Sequence, residues 1–141
     1  MQDVTTAAWA EVHVAEHIME VRVCKDVSSD DTFASFVDRA ESAYTMKDED
    51  FVLVFRIENF SGVSKRQAVQ WMQLFDRVRP ITEARLIGTC VSSPSPVVRT
   101  GARMFTLLHS PIKPFHVFDD YATCMQTAKR LIQEGRSPRS N

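Results

Sequence analysis

One stretch of the chain, residues 50–64, constrains the fold more than any other. After Asp50 it continues as the run Phe51–Ile57, in which β-branched and aromatic residues predominate. Such a run is typical of a strand that is buried on both faces. A polar turn containing Gly62, the first glycine of the chain, follows it and leads into a strong helical pattern. This order places the loop at the carboxyl end of a parallel strand, where open α/β sheets usually bind their ligands.

Helical patterns lie on both sides of this strand. Ser64 and Gln67 fit the Ser-x-x-Gln form of a capping box, and we expect the helix that they begin to end before Pro80. The apolar face of this helix consists of Ala68, Trp71, Met72, Phe75 and Val78. An earlier helix is expected at about 30–45, where Phe33, Phe36, Val37, Ala40 and Tyr44 recur at helical spacing.

The rest of the chain also divides into strands and helices. Residues 9–14 and 18–24 alternate between apolar and polar side chains and predict two short strands, as a hairpin or a bent pair, that form the antiparallel part of the sheet. Residues 84–91 predict a buried strand with Gly88 at a point of close packing, and residues 115–118 predict a short one. Between them Ser95 and Pro96 begin a helix whose apolar stripe is expected to face the core: Val97, Gly101, Met104, Phe105 and Leu108. Asp119 or Asp120 caps the last helix.

The resulting order, β-β-α-β-α-β-α-β-α, predicts an α/β fold. We expect a single-domain sandwich with a mixed, mostly parallel sheet covered by about four helices. The length of 141 residues suits one domain. We place a flexible N-terminus at 1–8, the domain at 9–134 and a polar tail at 135–141.

Composition and charge narrow the classes of function. The net charge is −1 and the pI is about 6.4, and the basic residues are dispersed along the chain, so no nucleic-acid partner is expected. No apolar run approaches the roughly 20 residues that span a bilayer, and no signal peptide begins the chain, so we expect no membrane span and a cytoplasmic location. Cys24, Cys90 and Cys124 lack a close spacing and are expected to be free, buried thiols, with no metal or cofactor.

Catalytic motifs are missing from the sequence. It contains no Gly-x-Ser-x-Gly elbow, no Walker loop and no His-Glu-x-x-His helix. Capping of the last helix accounts for Asp119 and Asp120, and no histidine is expected near the serine-containing loops. We therefore expect a protein that is not an enzyme.

Three local patterns resemble the STAS domain and the wider SpoIIAA-like family, over about residues 9–134. In the first pattern, the strand Phe51–Ile57 is followed by Asn59–Ser64 and an amphipathic helix. In the second, the next strand leads to Pro96–Arg99. In the third, Phe115–Ala122 begins as a strand, passes an aspartate and continues as a helix. STAS domains include anti-sigma factor antagonists and the cytoplasmic tails of sulfate transporters. The antagonists carry an aspartate beside a phosphorylatable serine at the start of their second helix. Here Ser61 or Ser64 occupies that place, without the aspartate.

The resemblance implies a regulatory, protein-binding module with a phosphorylation switch at Ser61 or Ser64. A phosphate there would meet the unpaired N–H groups of a helix N-terminus and the charges of Lys65 and Arg66. Turn formation and helix capping explain the same serines without a switch. The hypothesis for a further set of residues is a binding loop for an anion or phosphate: Asn59, Phe60, Gly62, Lys65, Arg66, Ser92, Ser93, Ser95 and Arg99.

A second function, that of a small-ligand or lipid carrier, stays open. Sec14-type lipid-binding domains share this fold, and the chain contains nine Phe residues. A large apolar cavity would favour the carrier, whereas a filled core with an apolar patch on a helix would favour the protein-binding module. The identity of the protein partner and the oligomeric state are not determined by the sequence.

Overall fold

The structure, a computed structural model, describes residues 2–6, 10–26, 29–60, 64–109 and 113–136. The strands are β1 (Gln2–Thr6), β2 (Ala10–Ala15), β3 (Ile18–Val23), β4 (Phe51–Ile57), β5 (Leu86–Ser92) and β6 (Phe115–Phe118). The helices are α1 (Asp30–Met46), α2 (Lys65–Arg85), α3 (Pro96–His109) and α4 (Tyr121–Arg136). The α/β fold and the order of its elements from β2 onward confirm the prediction.

The strands form one mixed sheet in which their order in space is their order in the chain. β1, β2 and β3 pair antiparallel, and β3, β4, β5 and β6 pair parallel. Val54 of β4 lies between Glu20 of β3 and Cys90 of β5 in register. The run identified in the sequence is therefore an interior strand.

β4 is buried on both faces, as its composition predicts. Phe51 and Leu53 belong to a large core with α1 and α2, while Val52 and Val54 belong to a smaller core with α4. The largest buried side chains contributed by α1 and α2 are Phe36, Tyr44 and Leu74. Burial of Phe36 and Leu74 stabilises the fold by about 1.5–3 kcal/mol for each side chain.

The prediction that the second helix ends before Pro80 is wrong, because α2 continues through Pro80 to Arg85. A proline inside a helix removes one backbone hydrogen bond. Val78 is buried before the proline, and Ile81 packs against the main core after it. Burial on both sides of Pro80 thus holds the helix together. As a consequence β5 begins at Leu86, where a strand from residue 84 was expected.

Two further expectations need correction. Residues 2–6, expected to be flexible, form β1 along the outer edge of β2, with an irregularity in register between Asp3 and Thr5. The free N–H and C=O groups of an edge strand can pair with a segment that has few apolar side chains. On α3, Val97 is 73% exposed and Met104 is 57% exposed, so this part of the stripe does not face the core. The side chain of Leu108 lies outside those that the structure describes.

Candidate functional site

The loops that follow β4 and β5 lie at one edge of the sheet, together with the first turns of α2 and α3. We call this region, formed by residues 58–60, 64–69 and 92–99, the carboxyl edge. The N–H of Glu58 donates to the carbonyl of Val23 at 2.8 Å, and the N–H of Ser93 donates to the carbonyl of Phe118 at 3.1 Å. These bonds tie both loops to the neighbouring strands.

The loop after β4 turns sharply at Asn59, whose φ of 52° lies in the left-handed region. Asparagine tolerates this conformation better than most residues that carry a Cβ. Asn59 is exposed, whereas Phe60 is half-buried and packs against the main core. The candidate residues Ser61 and Gly62 lie outside the described residues.

Ser64 begins α2 with the capping box that the sequence predicts. Its Oγ accepts from the N–H of Gln67 at 3.1 Å, and its own N–H donates to Oε1 of Gln67 at 3.0 Å. Nε2 of the same glutamine donates to Oδ1 of Asp30 at 2.9 Å, at the start of α1. Lys65 and Arg66 follow with exposed side chains. Ser64 therefore has a structural role as a cap and is also accessible from solvent.

Replacing Ser64 with alanine is expected to lower the free energy of unfolding by about 1 kcal/mol, because the first turn of α2 loses its cap. Ser64→Asp is the matched control, since aspartate is an equally good capping residue and should leave the stability close to that of the wild type. Urea unfolding followed by circular dichroism measures both. Equal losses in the two variants would contradict the capping role.

The polar groups of the loop after β5 form hydrogen bonds within the loop and with the start of α3. Ser92 and Ser93 are buried, each with 2% exposure, so they do not present hydroxyl groups to a ligand as the binding-loop hypothesis requires. Ser93 Oγ accepts from the N–H of Ser95 at 3.2 Å, and Ser95 Oγ accepts from the N–H of Val98 at 3.3 Å. Arg99 reaches this loop as expected, but its Nη1 donates to the carbonyl of Ser93 at 2.9 Å. These bonds stabilise the loop and favour capping over an anion site.

Exposed apolar side chains border the carboxyl edge. Val69 lies near the start of α2 and is 49% exposed, and Val97 lies at the start of α3. Sequence reasoning placed Val97 in the core because its spacing matches the apolar stripe. Only the orientation of α3 on the sheet reveals that it faces solvent.

A cleft of about 190 Å³ lies on the face of the sheet that α2 covers, beside α2 and α3. Its apolar lining includes Leu53, Phe55, Phe75, Phe105 and Phe115. The rings of Phe75 and Phe105, which connect the two helices, are 5.5 Å apart. Polar side chains border the cleft as well: Asp76, Arg79, Glu83 and Lys113. Sites for drug-sized ligands usually measure about 300–1,000 Å³, so this cleft suits only a small molecule.

Tyr44 also lines the cleft, and its hydroxyl is buried without a hydrogen-bond partner in the described part of the chain. Burial raises the pKa of this hydroxyl. Tyr44→Phe removes the unpaired polar atom and keeps the ring, so we expect the free energy of unfolding to stay equal or to rise by about 1 kcal/mol. Chemical denaturation tests this expectation. A clear loss of stability would show that the hydroxyl has a partner in solution.

Sequence reasoning missed a polar cluster on the opposite face of the sheet. The guanidinium carbon of Arg56 lies 4.1 Å from the ring centre of Tyr121, whose hydroxyl donates to Glu20 Oε1 at 2.7 Å. Burial and the bond to Glu20 raise the pKa of Tyr121 to about 12. Arg56 is the only charged residue in the apolar run Phe51–Ile57, and this exception in the sequence could have indicated the cluster.

The cysteines are free thiols, as expected, with Cys90 and Cys124 buried and Cys24 half-buried. A hydrogen bond between Cys90 and Cys124 lowers the pKa of Cys90 and raises that of Cys124. The described residues contain no group of histidine, cysteine and carboxylate side chains that could hold a metal ion.

Asp120 caps α4, as predicted. Its Oδ1 accepts from the N–H of Thr123 at 2.8 Å, and this bond lowers the pKa of the Asp120 carboxyl. Capping of α4 therefore accounts for the lowered pKa of the Asp120 carboxyl.

Comparison with known proteins yields one informative match. No protein-family model and no curated protein matches the chain. A crystal structure of an uncharacterized protein of the DUF3478 family from Shewanella loihica PV-4, described as having a SpoIIAA-like fold, superimposes with a TM-score of 0.61. The match covers 84% of this chain and 91% of that one. The chain has a SpoIIAA-like fold.

The sequence identity to that protein is 11%, so the SpoIIAA-like match concerns the fold alone. It agrees with the resemblance to SpoIIAA-like and STAS domains noted in the sequence. Within the described residues, every helix is too short or too polar to cross a lipid bilayer.

Proposed function

We propose that this SpoIIAA-like protein is a non-catalytic regulatory module that binds a protein partner through its carboxyl edge. The observation that carries the proposal is the exposure of Val69 and Val97 at the starts of the two helices that border this edge. Protein interfaces combine an apolar centre with a polar rim. Here Val69 and Val97 supply one exposed apolar side chain at the start of each helix, and Ser64, Lys65 and Arg66 supply exposed polar groups near Val69 in the sequence.

The ordering of the edge supports the same proposal. In the described parts of this edge, the capping box of Ser64, the hydrogen bonds around Ser93 and the turn at Asn59 hold the backbone in place. A surface that is already ordered loses little conformational entropy on binding. The polar groups named here are used for capping and turn formation, which favours binding over catalysis.

Phosphorylation of Ser64 is the regulatory step that we propose. Ser64 Oγ would form a bond to the terminal phosphoryl group of a nucleoside triphosphate supplied by a kinase, and a nucleoside diphosphate and the hydroxyl proton would be released. The phosphate would lie at the N-terminus of α2, next in sequence to Lys65 and Arg66. The N–H groups of the helix terminus and these two positive charges would stabilise the phosphate. It would also add negative charge and bulk to the proposed binding surface.

Site-specific photocrosslinking in the native cell tests the binding surface. A photoreactive phenylalanine analogue is placed at Val69 or Val97, and at exposed Asp38 of α1 as the control position. We expect one protein to be crosslinked from positions 69 and 97 and not from position 38. The proposal fails if all three positions give the same adducts or if neither edge position gives one.

The partner identified in this way then tests the switch. We expect Ser64→Asp to weaken binding at least about tenfold, a change of 1.4 kcal/mol, while Ser64→Asn leaves binding unchanged. Both residues cap a helix well, so a difference between them reports charge and not loss of α2. Equal affinities of the two variants would contradict regulation at Ser64.

The cleft beside α2 and α3 favours a second candidate function, the binding of a small amphipathic ligand. Its aromatic lining suits an apolar tail, and Lys113 at the cleft suits an acidic head group. Titration with octanoate, followed by nuclear magnetic resonance, is the test. We expect shifts in Leu53 and Phe105 that weaken in Lys113→Gln and with octanol. Octanoate that shifts no signal around the cleft would eliminate this function.

A further inference from the structure

The hydroxyl group of Tyr44 has no explanation in the packing of the core. The side chain is 1% exposed, and among the described residues the hydroxyl has no hydrogen-bond partner. Buried polar groups in native proteins are nearly always hydrogen-bonded, so an exception indicates a further partner such as a ligand or a water molecule. Phenylalanine would supply the same ring without an unpaired polar atom. The tyrosine therefore points to a partner outside the chain.

Tyr44 is one of the residues that line the cleft beside α2 and α3. Its ring lies 6.2 Å from the ring of Phe51 in an edge-to-face arrangement, which holds the side chain where α1 meets the start of β4. The lining that β4 contributes to the cleft is apolar and consists of Leu53 and Phe55. An unpaired hydroxyl thus belongs to the lining of a mostly apolar cleft.

The charged side chains at the cleft are in a different situation. Asp76, Arg79 and Glu83 are exposed, so water can satisfy their polar atoms. Arg79 also donates from Nη2 to Oδ1 of Asp76 at 3.1 Å. These groups need no ligand to complete their hydrogen bonds, whereas the buried hydroxyl of Tyr44 does.

The hydroxyl of Tyr44 selects the chemistry of its partner. Burial raises the pKa of this hydroxyl, so it stays protonated and is available as a hydrogen-bond donor. The complementary group is therefore an acceptor. A carboxylate placed among the apolar lining would lose its hydration at a high cost in free energy, whereas an uncharged carbonyl oxygen would lose much less. A ketone, ester or amide oxygen fits this position best.

We propose that the ligand of the cleft carries an uncharged carbonyl oxygen in its apolar part, and that this oxygen accepts a hydrogen bond from Tyr44 Oη. The inference rests on the second candidate function, the binding of a small amphipathic ligand in the cleft, and it specifies the class of that ligand. An acidic head group at Lys113 is compatible with it, because the carbonyl occupies a different part of the ligand.

The ligand has to displace part of the lining to reach this hydroxyl, since Tyr44 has almost no contact with solvent. The end of α2 borders the cleft through Thr82 and Glu83. This segment follows Pro80, which has no N–H and so removes one backbone hydrogen bond from the helix. The wall beside the cleft is therefore less restrained than an uninterrupted helix.

Two uncharged ligands of nearly the same shape test the hydrogen bond. Acetophenone carries a carbonyl group on a single ring, and α-methylstyrene carries a C=CH2 group in its place. Nuclear magnetic resonance of Leu53 and Phe105 gives the dissociation constant of each ligand for the wild type and for Tyr44→Phe. Because water solvates the ketone better than the hydrocarbon, each ligand is compared between the two proteins and not with the other ligand.

Tyr44→Phe is expected to weaken the binding of acetophenone at least about tenfold, a change of 1.4 kcal/mol, and to leave the binding of α-methylstyrene within about twofold. Tyr121→Phe is the matched control, since the hydroxyl of Tyr121 donates to Glu20 on the opposite face of the sheet. It should bind both ligands like the wild type. The proposal is overturned if Tyr44→Phe weakens both ligands equally or leaves both unchanged.

Octanoate separates this inference from the candidate function on which it rests. If octanoate shifts the signals of the cleft and acetophenone shifts none, the cleft binds a ligand but Tyr44 does not select a carbonyl, and the inference is overturned alone. If neither compound shifts a signal of the cleft, the inference and the candidate function fail together.

Discussion

Phe51→Ala is expected to lower the free energy of unfolding by about 3–5 kcal/mol. Phe51 is the first residue of β4, its side chain is fully buried, and its ring lies 6.2 Å from that of Tyr44 in an edge-to-face arrangement. Alanine leaves a cavity at the point where β4 meets the end of α1. Since the total stability of a domain is typically about 5–15 kcal/mol, this single loss removes a large part of it.

Urea unfolding measures this loss, with Val69→Ala as the control for an exposed apolar position. The control is expected to stay within about 0.5 kcal/mol of the wild type. A loss below about 1 kcal/mol in Phe51→Ala would mean that the core around β4 is packed differently from the structure.

Gly88→Val is expected to cost about 3 kcal/mol through overpacking. A Cβ at Gly88 would lie 3.1 Å from Cδ1 of Leu131 and 3.2 Å from the carbonyl oxygen of Pro114. That carbonyl accepts a hydrogen bond from the N–H of Thr89 at 2.9 Å, so it cannot move away without cost. Valine at this position therefore pushes both α4 and the segment before β6 away from β5.

Gly101→Ala is the matched control, because its Cβ would occupy open space on the exposed side of α3. It is expected to stabilise the protein by about 0.5–1 kcal/mol, since glycine inside a helix is unfavourable. Thermal and urea unfolding of the two variants should therefore change in opposite directions. A change of the same sign in both would contradict the close packing at Gly88.

The arrangement of the fold is predictable wherever local chemistry and burial agree. The apolar run of β4 requires a strand buried on both faces, and the capping box of Ser64 and Gln67 specifies where α2 begins. Gly88 marks close packing because only glycine leaves room for Leu131 and Pro114. In each of these cases a few neighbouring residues determine the local structure without help from distant parts of the chain.

The errors arise where distant contacts override a local rule. Pro80 ought to end a helix, but burial of Val78 and packing of Ile81 carry α2 past it. The candidate site depends even more on such contacts. Ser93 is a typical loop residue in sequence, yet the bond of its N–H to Phe118 at the end of β6 draws it below the surface. Val97 fits an apolar stripe, and only the rotation of α3 about its axis leaves it exposed.

The agreement between strand order and chain order has a consequence for how the protein is made. As the chain leaves the ribosome, each new strand pairs with the edge of the one before it, and no strand has to be inserted between two that are already paired. Domains generally fold as units during synthesis, the N-terminal one first. The helix α4, which covers Val52, Val54 and Cys90, follows β6 in the sequence. Before α4 packs onto the sheet, Val52, Val54 and Cys90 are exposed on one of its faces.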